Sequence, residues 1–318
     1  MSQPSKEERI ADRIVDEMWA TVEEETPNWK APMIYAEKLW KPVMKEFWLT
    51  YFQKRKKRAD NLCVFGNTDT GKTTCFDKII PAFKRRYALH SKEIIQITCL
   101  TNMTVSGLYR EILDELKWSH RANENIARLE SLVRDALIAK GVQLLIIDEF
   151  SNVYNNANKA ERNLVLKSLR NIPTLTKCPL IIIGTRKVLK LLKEDSETNN
   201  RYEKVEFPRF ELANGKWRDL QEIIATLDAH LKVTTGISSD LCKKNRSLEK
   251  LYKRSKGKMG SLVKIYERMV RIALGESIES LTHHLIDRAV KQLNQNNRLH
   301  DEEDEKLTVT IPKGWLTS

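Results

Sequence analysis

Between the apolar run Leu62-Cys63-Val64-Phe65 and a stretch of helical periodicity from Lys72 onward stands Gly66-Asn67-Thr68-Asp69-Thr70-Gly71-Lys72-Thr73, which fits GxxxxGK[ST] at every fixed position. A strand that turns through glycines into a helix points its backbone N–H groups inward at the helix N-terminus, and such a concavity takes phosphate. Lys72 then neutralises the outer phosphates of a bound nucleotide, the Thr73 hydroxyl ligates Mg²⁺, and Thr74 closes the nest. A loop of this kind belongs to a layered α/β domain, so it narrows the fold class before composition is consulted.

The surrounding pattern agrees. Apolar β runs predict strands at 62–66, 93–99, 143–148, 179–184 and 203–207, and helical periodicity predicts helices at 72–90, 104–117, 124–140, 158–171 and 186–193. Leu144-Leu145-Ile146-Ile147 and Leu180-Ile181-Ile182-Ile183 show no polar alternation, as strands covered on both faces do. The expected domain, residues 54–208, is therefore α/β with a parallel five-stranded sheet flanked by helices. Past Pro208 the strand signal stops, and 216–232, 238–253, 259–274 and 278–293 predict an all-helical domain over 209–295. Residues 1–53 form a helical N-terminal extension, with helices at 7–25 and 35–53 around Thr26-Pro27-Asn28-Trp29-Lys30-Ala31-Pro32. It holds Trp19, Trp29, Trp40 and Trp48, expected to pack in a core or to face a partner. Residues 296–318 run from Asp301-Glu302-Glu303-Asp304-Glu305 to an apolar tail with Trp315, which is expected to be mobile unless a partner holds it.

A phosphate loop needs a carboxylate at the end of a neighbouring strand, and Asp148-Glu149 follows the run 144–147. Asp148 is the expected Mg²⁺ ligand, and Glu149 the residue that orients and deprotonates the attacking water. The adjacent pair points to an ATP hydrolase more than to a kinase or a GTPase. Thr185, ending the fourth strand, is placed to report the γ-phosphate; an ordinary helix N-cap is the alternative. Arg201, on the polar loop Asn199-Asn200-Arg201-Tyr202, is a candidate finger into a neighbouring subunit's phosphate site, or else a surface arginine.

Composition excludes other classes. No apolar stretch approaches the roughly 20 residues of a membrane helix, and Met1–Ile10 holds no apolar leader core. The five cysteines show no CxxC pair or metal spacing, which fits reduced thiols and a cytoplasmic location. The net charge of +12 is concentrated: residues 54–92 carry eleven bases against three acids, and residues 241–272 eleven against two. Such blocks attract a nucleic-acid backbone without reading sequence, or simply solvate a face.

With the phosphate loop, Asp148-Glu149, Thr185, Arg201 and a C-terminal helical domain in this order, the chain resembles the AAA+ ATPases. The approach Arg58-Ala59-Asp60-Asn61 into the loop, the segment from Arg201-Tyr202 to Phe207-Pro208, and Ser255-Lys256-Gly257-Lys258-Met259-Gly260-Ser261-Leu262 resemble the TniB and TnsC transposition regulators over residues 35–295. The resemblance implies ATP bound by Gly66 to Thr74, Mg²⁺ at Thr73 and Asp148, catalysis by Glu149 with Lys72, a first sensor at Thr185 and a finger at Arg201. Where many AAA+ proteins carry a lid arginine, this chain has Gly257-Lys258-Met259-Gly260, so the second sensor is Lys258 or is absent, and slow hydrolysis is expected.

The same resemblance implies a homo-oligomer, ring or helical filament, on double-stranded DNA, with Thr101, Asn102, Thr104, Arg121 and Lys159 facing the duplex. Its implied partners are a DDE transposase and a target-selection protein of TniQ type, the latter with or without an RNA-guided complex. It places the protein in the bacterial cytoplasm and away from membranes. A helicase-loader-like or replication-initiator-like ATPase, and a DNA scaffold that binds ATP without turning it over, are the competing readings; the intact Asp148-Glu149 pair argues against the scaffold.

Overall fold

A computed structural model describes residues 12, 13, 15, 16, 20, 41, 43–51, 61–86, 93–156, 158–207, 209 and 218–295. Most of the expected helix 7–25, Trp19, Trp29, Trp40, the basic run 54–58 and the tail 296–318 lie outside the described residues.

Two compact units emerge. The first contains Trp48, residues 61–66 and residues 72–207; the second contains residues 67–71 and the described residues from Arg209 onward. In the first unit, β1 (Asn61–Phe65), β2 (Ile94–Thr98), β3 (Leu144–Asp148), β4 (Leu180–Gly184) and β5 (Tyr202–Glu206) pair in the order β2-β3-β4-β1-β5, every pair parallel. β1, β3 and β4 are buried at every position, as the apolar runs Leu62–Phe65, Leu144–Ile147 and Leu180–Ile183 require, whereas Glu203, Lys204 and Glu206 put charge along the edge strand β5.

Helices α1 (Lys72–Arg86), α2 (Val105–Glu115), α3 (Ile126–Ala139), α4 (Ser151–Tyr154), α5 (Lys159–Thr176), α6 (Lys187–Leu192) and α7 (Ser196–Asn199) belong to this unit. The helical stretch 43–51 packs on α1, with Phe47 edge-on to Phe83 at 5.0 Å between ring centres and Tyr51 at 4.8 Å from Phe83. Trp48 is buried in the same region.

One helix end departs from expectation. α5 runs through Pro173 to Thr176 rather than stopping at 171. Pro173 is buried in the last turns of the helix. The hydroxyls of Thr174 and Thr176 donate to the carbonyls of Arg170 and Ile172, and Lys177 then leaves the helix at φ 59°.

In the second unit, α8 (Arg218–Thr235), α9 (Asn245–Ser255), α10 (Met259–Gly275) and α11 (His283–Gln295) form the helical frame. Helices expected from 238 and 278 start later, because β6 (Ser238–Ser239) and β7 (Ser280–Leu281) pair in parallel just before them. Gly236 at φ 75° ends α8 and lets the chain turn back into β6. The Tyr266 hydroxyl donates to Asp228 Oδ1 at 2.7 Å inside this unit.

All five cysteines are free, and burial pushes the Cys63 thiol up to about 12, although Lys204 pulls it down. Among the described residues no helix is long and apolar enough to cross a membrane.

Candidate nucleotide site

The strand β1 delivers Phe65 to a place where only a glycine can follow. A Cβ on Gly66 would lie 2.6 Å from the carbonyl oxygen of Phe207, and the Phe207 N–H donates to the Phe65 carbonyl at 2.6 Å. Beyond Gly66 the loop is held internally by the Thr70 hydroxyl, which donates to the Asn67 carbonyl at 2.9 Å. Gly71, at φ 96°, makes the turn into α1 in a backbone region closed to side chains.

Lys72 opens α1 and donates from Nζ to the Gly66 carbonyl at 3.0 Å, so its ammonium reaches back across the mouth of the loop. Thr73 Oγ1 donates to Asp148 Oδ2 at 2.9 Å, joining the loop's hydroxyl to the end of β3. Thr74 is exposed beside it. Asp148 is buried, and its other oxygen accepts the Glu149 N–H at 2.7 Å. A hydroxyl and a carboxylate within one hydrogen bond are hard oxygen donors, as Mg²⁺ requires. Among the described residues no group of three or more His, Cys, Asp or Glu could hold a metal alone. The pair therefore fits an ion that completes its shell with phosphate oxygens and water.

Glu149 stands exposed at φ 53° directly after β3. Partial desolvation of its carboxyl and then the charge of Asp148 raise its pKa, while Lys72 opposes the shift. Asp77 on α1 is raised as well, by burial and then by Asp148, so the carboxylates here crowd one another where a cation would relieve them. Thr185 follows β4, which lies between β3 and β1; its N–H donates to Ser151 Oγ at 2.6 Å and its hydroxyl accepts the Lys187 N–H at 3.3 Å. Gly66, Thr185 and Asp148-Glu149 thus sit at the carboxyl ends of three neighbouring parallel strands, where open α/β sheets bind ligands.

The loop tip belongs to the helical unit. Lys258 is buried, and its Nζ donates to Thr68 Oγ1 at 3.3 Å. Arg209 donates to Asn67 Oδ1 at 2.9 Å and to the Lys256 carbonyl at 3.1 Å. Lys264 donates to Asp69 Oδ2 at 2.6 Å, and the Gly260 N–H to the Asp69 carbonyl at 2.7 Å. Arg209, Gly260 and Lys264 carry no spacing signal in the sequence that would tie them to the loop.

Arg201 is engaged within its own chain. Its guanidinium donates to Glu197 Oε1 at 2.8 Å and to Thr174 Oγ1 at 3.0 Å, and its carbonyl accepts the Asn61 N–H. It stands at the amino end of β1, opposite the end that carries Gly66. Of the residues expected to face DNA, Thr101 and Asn102 are exposed on the turn after β2, with Asn102 at φ 58°. Asn156 reaches the carbonyls of Asn102 and Met103, which draws that turn to the segment leading into the exposed Lys159. Thr104 is half-buried and caps α2 by accepting the Gly107 N–H at 3.1 Å. Arg121 is exposed on the separate connection between α2 and α3.

The family described as Bacterial TniB protein matches residues 35–212, more than half of the chain. No curated protein matches it. Among solved structures, the Aeropyrum pernix ORC1 protein in complex with DNA is similar at 15% identity and a TM-score of 0.60, over 82% of this chain and 66% of that one. The Aeropyrum pernix ORC2 protein in its ADPNP-ADP complexes is similar at 14% identity and 0.56, over 81% and 68%. CDC6P from Pyrobaculum aerophilum is similar at 13% identity and 0.56, over 78% and 66%. The chain thus spans about two thirds of these structures, and the likeness is one of fold: an AAA+ α/β domain.

Proposed function

This chain belongs to the TniB family, and from that premise we propose that it is an ATPase of DNA transposition, which assembles on duplex DNA with ATP bound and leaves it when ATP is hydrolysed. The observation that carries this reading is the Thr73–Asp148 hydrogen bond beneath the phosphate loop, with Glu149 as the next residue. In the loaded protein Lys72 exchanges the Gly66 carbonyl for the outer phosphates, and the N–H groups of the turn into α1 take the inner ones. Thr73 and Asp148 hold Mg²⁺, which neutralises charge on the phosphate oxygens. Glu149 orients the attacking water and accepts its proton, and the raised pKa of its carboxyl makes it a better base. Thr185 reads the γ-phosphate from the end of β4, and Lys258 is the second sensor on the loop tip.

Arg201 acts in trans only if it releases Glu197, so hydrolysis depends on assembly into a ring or filament. Thr101, Asn102, Thr104, Arg121 and Lys159 meet the DNA backbone. The assembled protein hands a target selected by a TniQ-type partner, with or without an RNA-guided complex, to a DDE transposase. ATP binding favours the assembled state by linkage, and its loss removes that bias. The similarity to an ORC1 protein solved with DNA favours one second reading, a replication-initiator-like ATPase.

Two substitutions test the proposal. Lys72→Ala abolishes ATP binding and DNA retention together, because phosphates in the loop lose their cation. Glu149→Gln keeps ATP and DNA but lowers phosphate release by about 10²- to 10⁴-fold, the usual worth of a positioned base. Normal nucleotide affinity in Lys72→Ala, or unchanged turnover in Glu149→Gln, contradicts the site. Stimulation of a purified transposase by the ATP-bound form, or its absence, separates transposition from initiation.

A further inference from the structure

Asp69, in the middle of the phosphate loop, has a left-handed backbone at φ 60°. Its carbonyl accepts the Gly260 N–H at 2.7 Å. Its carboxylate accepts Lys264 Nζ at 2.6 Å and, more weakly, Ser261 Oγ at 3.4 Å. These three partners lie in the first turns of α10, whose own N-cap residue, Lys258, makes no side-chain cap. Asp69 therefore caps α10 from far upstream, placing negative charge where the helix N–H groups are unsatisfied. The fit is close: a Cβ on Gly260 would lie 2.8 Å from the Asp69 carbonyl oxygen.

We propose that Asp69 is a latch that fastens the phosphate loop to α10, with Lys264 and Gly260 as its keepers, so that this helix governs whether the loop is shaped to accept nucleotide. The proposal rests on the nucleotide reading of the loop. It also accounts for the missing lid arginine: the helical unit responds to nucleotide by holding the loop backbone, not by sending an arginine to the phosphates. Asp69 and Lys264 are positioning residues, since neither has to touch ATP. Releasing the latch leaves the loop free to sample shapes that bind poorly, and apparent affinity falls by the fraction lost.

The experiment measures the affinity of the full chain for a fluorescent ATP analogue, alongside thermal unfolding. Asp69→Asn keeps a residue that tolerates positive φ and removes only the charge. Asp69→Asn and Lys264→Met are each expected to weaken binding by about 3- to 10-fold, the range for a charge-assisted contact that is partly exposed. The double variant should be no weaker than either single one, since both break one link. Lys264→Arg should restore affinity, and Gly260→Ala should weaken it by crowding the Asp69 carbonyl although alanine favours the helix. The latch is refuted if Lys264→Met and Gly260→Ala match or exceed the parent while Lys72→Ala loses binding. It is equally refuted if affinity falls only in step with a lowered unfolding temperature and Lys264→Arg does not restore it. Parental binding by Lys72→Ala would instead remove the nucleotide reading, and the latch with it.

Discussion

A methyl group added to Gly66 would meet the Phe207 carbonyl at 2.6 Å, whereas one added to Gly71 would meet nothing within 4 Å and would have to tolerate φ 96°. The first glycine answers to packing between β1 and β5, the second to backbone conformation. Gly66→Ala is accordingly expected to cost about 1–3 kcal/mol of stability through overpacking, read as a lower urea midpoint; a parental midpoint would mean that the strand ends part freely. Asp195 offers a pH test. Its slight burial raises its pKa, but hydrogen bonds from Thr198 and Glu197 and the nearby Arg170 outweigh this and leave it lowered. A depressed carboxyl stabilises the fold above its unfolded pKa, and that contribution disappears as pH falls through the folded value. Asp195→Asn should therefore lose stability at neutral pH and show a flatter decline in acid than the parent, by urea unfolding across a pH series.

At the scale of elements, Asn158 caps α5 by accepting the N–H groups of Ala160 and Glu161. Asn158→Ala should cost about 1 kcal/mol, seen in the same urea measurement. Strands β1 to β4 were legible because each is a short, largely apolar run bounded by polar turns, and the long helices because their periods repeat. α4 and α7, four residues each, are too short to show a period, and two-residue strands such as β6 and β7 leave no alternation to read. Within the site, the loop and Asp148-Glu149 could be read because each is contiguous. Arg209, Gly260 and Lys264 meet the loop only through tertiary folding, which no local spacing encodes.

For the whole molecule the formal charge of +12 sets the expected encounter with DNA. Retention on unrelated duplexes should be similar and should fall steeply with added salt, because backbone contacts release counterions and read no bases. A flat salt response would overturn that expectation. The chain order of the sheet has a different consequence, for how the protein is made. β1 is the first described strand to be synthesised, yet Leu62 pairs with Ile181 on one side and Glu203 on the other, while β2 and β3 find each other much sooner. At translation speeds of about 5–20 residues per second, an apolar strand that ends in the phosphate loop waits on the order of ten seconds for its neighbours. The nascent chain is then most exposed to misassociation just before the nucleotide site can exist, and slowed synthesis between residues 66 and 180 would lengthen that interval.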